Sequence, residues 1–109
     1  MNDTSGRQLS FHAGLAHARR IVARADWDAR PTFCYRLRAA LREALATVPP
    51  DEDTDQRARA AIRAAEHFAN ALRPNFTPAP VELLARLDEL EAAGDRALDA
   101  ATRGCAKAA

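Results

Sequence analysis

The chain has 109 residues and a net charge of +1. It is sized for one domain, and it has no global field that would drive it onto nucleic acid or a membrane. Of its residues 48% are hydrophobic, yet 27 are Ala, and four Gly, one Tyr and few β-branched residues exclude an extensive sheet.

The first nine residues, MNDTSGRQL, are polar, carry no signal-peptide pattern and are expected to be disordered. Ser10 is placed to cap a first helix running to Ala25, with Phe11, Leu15, Ala18, Val22 and Ala25 on one arc and Ile21 at its margin. His17, Arg20 and Arg24 line the far side. Residues 26–31 (Asp-Trp-Asp-Ala-Arg-Pro) read as the loop of an αα-hairpin, because Pro31 disfavours helix at the residue before it.

The second helix, 32–48, is the best-patterned stretch. Phe33, Leu37, Ala40, Leu41, Ala44, Leu45 and Val48 share one arc, while Tyr35, Arg38, Ala39, Arg42, Glu43 and Ala46 fill the other. Thr32 is the expected N-cap, and Pro49-Pro50 stops the helix. An acidic connector, PPDEDT, precedes a third helix over 54–72, with Asp53 and Gln56 spaced as a capping box. Ala58, Ala61, Ile62, Ala65, Phe68, Ala69 and Leu72 form its inner arc, and Ala60, Ala64 and Ala71 its smooth back. The segment RPNFTPAP, with three prolines, is a hard break. A fourth helix then spans 79–102, with Phe76 expected to staple onto it and Thr77 to cap it. Leu83, Leu84, Leu87, Leu90, Ala97, Leu98 and Ala101 mark its arc. Gly94 lies within that arc, where it permits a close crossing or marks a kink. Gly104 is the expected C-terminal cap, and 104–109 a frayed tail.

Four amphipathic helices over 10–103 make an all-α domain, either a small four-helix bundle or an orthogonal four-helix arrangement. The chain is expected to be cytoplasmic, since its longest apolar run is far short of a membrane span.

Chemistry-bearing patterns are sparse. His12, His17 and His67 lack the Glu three residues earlier that di-iron bundles use, and no metal site or cofactor is expected. Cys34 and Cys105 form no redox or metal pair. Asp88, Asp95 and Asp99, with Glu91 nearby, form an acidic stripe on the fourth helix, which is expected to be solvated or paired with Arg38 and Arg42. No catalytic residue, small-molecule ligand or phosphate loop is apparent, so an enzyme is not expected.

Charge is uneven. Residues 1–48 carry eight Arg against four acids, and 49–109 carry eight basic residues against eleven acids. Arg outnumbers Lys 15 to 1, as codon usage in a GC-rich genome would produce, so a small accessory protein of a bacterium, phage or plasmid fits. The first hairpin nonetheless concentrates forked cations. Arg20, Arg24, Trp27, Tyr35, Arg38 and Arg42 are the candidate partner-binding residues, because Arg and aromatic residues dominate interface centres. The expected function is a non-enzymatic helical interaction module, a binder, adaptor or inhibitor of a protein partner, with self-association as a homodimer a further expectation. The alternative is a nucleic-acid-binding module that uses the same arginines.

Overall fold

The computed structural model describes residues 3–108, and their side chains over 6–104. The chain forms four helices: α1 (Asp3–Ala23), α2 (Arg30–Leu45), α3 (Glu52–Ala71) and α4 (Val81–Ala108). Among the described residues there is no strand, only an isolated bridge between Arg73 and Phe76. The helices neighbour one another in a ring, α1–α2, α2–α3, α3–α4 and α4–α1. Principal extents of 58 × 22 × 18 Å require the helix axes to run along one direction. This is an up-down-up-down four-helix bundle, not an orthogonal arrangement. Among the described residues, no helix is long and apolar enough to cross a membrane.

The core is the set of arcs read from the sequence. Phe11, Leu15, Phe33, Leu37, Leu41, Leu72, Leu83, Leu87, Leu90 and Leu98 are the largest fully buried side chains. Burial of each contributes about 1.5–3 kcal/mol. Alanines fill the spaces between them, and the rings of Phe33 and Phe68 meet at 5.6 Å across α2 and α3.

Helix ends differ from expectation in several places. The stretch 1–9 is helical from Asp3 onward, so Ser10 lies inside α1 and caps nothing; Met1 and Asn2 lie outside the described residues. Once α1 has Phe11 and Leu15 anchored in the core, the helix extends outward by one hydrogen bond per residue. At α2, Pro31 sits in the first turn, where a missing N–H costs nothing, and Ala29 is the N-cap. Asp26 accepts a hydrogen bond from Ala29 N at 2.8 Å and so shapes the turn, while Thr32 donates back to the Ala29 carbonyl. At α3, Asp51 is the cap in place of Asp53. Its carboxylate accepts from Thr54 N at 2.8 Å and from Thr54 Oγ1 at 2.6 Å. Those bonds, the hydroxyl's first, hold the Asp51 carboxyl below its ordinary range. At the other end, α4 runs through Gly104 to Ala108, so the expected cap at 104 is not found; Ala109 lies outside the described residues.

Three apolar assignments are corrected. Phe76 stands 61% exposed and staples nothing. Leu84, placed on the inner arc, is exposed at the rim, and Ala93 is buried instead. Ala64, assigned to a smooth outer back, is buried along with Gly94. At Gly94 a Cβ would run into the ring of Phe11, so the glycine admits a close crossing and no kink is needed. These two small residues therefore serve the interior, while Ala60 is half-buried and Ala71 exposed.

Candidate functional site: an arginine-rimmed groove

Gly14 sets the geometry of the α1–α2 pair. A Cβ there would lie 2.6 Å from Ala44 Cβ and 2.9 Å from Ala44 Cα, so the two helices touch backbone to backbone at this point. Between that contact and the 24–29 turn they leave a groove of about 540 Å³. Its floor is apolar, made by Ile21, Phe33, Ala39 and Ala40. Its rim is cationic. His17 and Arg20 come from one face of α1, and Arg24 from the turn that follows it. From α2 come Thr32, Tyr35, Arg36, Arg42 and Glu43. Tyr35 is 78% exposed, a large aromatic face held out into solvent.

Ion pairing separates this groove from the α1–α4 and α3–α4 seams, although Arg59 and Arg63 on α3 are also without a carboxylate partner among the described residues. On the α1–α4 side, Arg19 reaches Asp88 at 2.8 Å and Glu91 at 2.7 Å. Partial burial disfavours its charge, but the two carboxylates outweigh that and hold its pKa above the ordinary value. His12 Nε2 lies 2.8 Å from Asp95, to which Gln8 also donates. On the α3–α4 side, Arg57 lies 3.4 Å from Glu89, and Arg96 3.2 Å from Asp53. By contrast, among the described residues no carboxylate pairs with Arg20, Arg24, Arg36 or Arg42.

The acidic stripe therefore pairs with α1, and neither Arg38 nor Arg42 reaches it. The reason is the ring order: α2 and α4 are diagonal in the bundle. Arg38 instead leans toward α3, 3.8 Å from Glu66. The structure thus brings Arg20, Arg24, Tyr35 and Arg42 to one groove and takes Arg38 to another face.

Trp27 is placed elsewhere as well. It is half-buried against the end of the core, with the Arg30 guanidinium 3.8 Å above its ring. It borders a separate hollow with Pro31, Asn70, Leu72 and Arg73. It closes the end of the helical hairpin, consistent with its position in the turn.

Compared with known protein families, with curated proteins and with solved structures, the chain has no significant match.

The remaining reactive groups are subdued. Burial pushes the Cys34 thiol up; Glu66 adds to the rise and Arg38 works against it. Among the described residues, no group of three or more His, Cys, Asp or Glu side chains is arranged to hold a metal ion.

Two contributors to the groove do not stand out when residues are read singly. Arg36 reads only as part of a general basic surface. Gly14 is the subtler of the two, although an interior helical Gly in so Ala-rich a chain signals a close backbone approach.

Proposed function

We propose that the chain is a small non-enzymatic interaction module that binds a protein partner through the α1–α2 groove, as a binder, adaptor or inhibitor in the cytoplasm. One observation carries this reading. Four arginines without carboxylate partners ring an apolar floor, while Arg19, Arg57 and Arg96 at the α1–α4 and α3–α4 seams are paired within the fold. Unpaired guanidiniums beside an exposed tyrosine are the composition of an interface centre. The apolar floor supports a protein partner over a polyanion, because phosphates gain nothing from it.

The second reading, a nucleic-acid-binding module, is favoured by the same arginines together with Tyr35, on which a base would stack. Affinity capture from a lysate of the native cells, with and without nuclease, separates the two. A protein retained after nuclease by the wild type, and lost by the Arg20→Gln/Arg42→Gln variant, supports the first reading. Capture abolished by nuclease supports the second.

A further inference from the structure

We infer that the groove seats an acidic amphipathic helix of a protein partner, about three turns long; this rests on the protein-interaction reading above. Length is the first argument. The α2 wall runs from Thr32 to Glu43, and at 1.5 Å per residue that is about 16 Å, or three turns of a helix laid alongside. Chemistry is the second. An apolar floor between two cationic rims asks for apolar side chains at i, i+3 or i+4, and i+7 of a helix laid in it. Guanidiniums stand on both walls, Arg20 and Arg24 on one and Arg36 and Arg42 on the other, so carboxylates flanking that stripe on either side are met. Charge polarity is the third. Glu43 is the single carboxylate of the lining, and it lies next to Ala44, where α1 and α2 touch. A basic residue at that end of the partner helix completes the match, and a uniform polyanion is penalised there.

The test uses the full chain and a labelled synthetic helix carrying Leu at the stripe positions and Glu on both flanks. A scrambled peptide of the same composition and a duplex DNA oligonucleotide serve as the comparison probes. Fluorescence anisotropy at physiological salt is expected to show binding of the patterned peptide only. Arg20→Gln with Arg42→Gln is expected to weaken that binding at least about tenfold. Ala39→Trp, which fills the floor and removes no charge, is expected to weaken it to a similar degree. Circular dichroism confirms that each variant folds; should the Trp variant not fold, the arginine pair and the scrambled peptide carry the test. Equal binding of the scramble, or no binding of the patterned peptide, overturns the acidic helix as occupant and leaves the protein-interaction reading standing. Tighter binding of the duplex than of the peptide, lost in the arginine variant, overturns both.

Discussion

The two sides of α1 carry the same kinds of residue and do different things with them. Toward α4, Arg19 and His12 meet Asp88, Glu91 and Asp95, so each finds carboxylate partners and the seam is closed. Toward α2, Arg20 and Arg24, one and five positions along from Arg19, meet no acid and border an apolar floor. Composition is therefore a poor guide to an arginine's role; the neighbour that the ring order supplies decides it. Exposed pairs contribute little to stability, so the closed seam is chiefly about register, and the open groove holds interaction capacity that the fold itself leaves unused.

The contrast is broken most severely from beneath. Leu41→Asp places an unpaired charge among fully buried side chains and is expected to cost about 4 kcal/mol or more. Its neighbour Arg42→Asp is expected to cost within about 0.5 kcal/mol. Thermal melts that ranked the two the other way would place the wrong face inward. Next comes Gly94→Ala, whose methyl must displace the Phe11 ring; a loss of about 1–3 kcal/mol is expected in urea unfolding.

The comparison itself is tested by two arginines side by side. Arg19→Gln removes a group that bridges two carboxylates and is expected to lower stability by about 1 kcal/mol. Arg20→Gln is expected to leave stability within about 0.5 kcal/mol and to act only on binding. Equal losses at both positions would erase the distinction between seam and groove.

The smallest effect lies at the α3 cap and is read in acid. The Asp51 carboxyl is held below its ordinary value in the fold, so its stabilisation is present above that ordinary value, 3.8. It is lost as the pH falls from there through the depressed folded value. Asp51→Asn, which still caps but cannot titrate, is expected to flatten that part of the melting-temperature profile and leave the neutral region nearly unchanged.

Much of the fold was legible, because periodicity reports burial directly. Phe11, Leu15, Ala18 and Val22 on α1, and Phe33, Leu37, Ala40 and Leu41 on α2, occupy the interior as their spacing requires. The caps were harder. Asp51, Asp53 and Thr54 offer several capping arrangements within three positions, and the bond to the Thr54 hydroxyl that favours Asp51 is a tertiary-like detail invisible to spacing. Part of the groove was legible: Arg20, Arg24, Tyr35 and Arg42 converge, while Arg38 and Trp27 do not. Helical spacing places a side chain around its own axis. It does not say which helix stands beside that face: Arg38 and Arg42 are one turn apart on α2, yet Arg38 lies toward α3 and Arg42 on the groove with α1.

The Phe11 ring over Gly94 has a mechanical consequence. It behaves as a detent. An aromatic disc seated where a side chain is missing resists axial sliding of α1 along α4, because the residues one turn to either side of Gly94 on the same face, Leu90 and Leu98, are buried and carry large side chains. The charge pattern is indexed to that notch: Asp95 comes directly after it, and Glu91 and Asp88 lie three and six residues before it. A slip of a single residue would misalign His12 and Arg19 with their carboxylates together. One absent side chain thus sets the phase of a whole interface, and with it which arginines of α1 remain free to face outward.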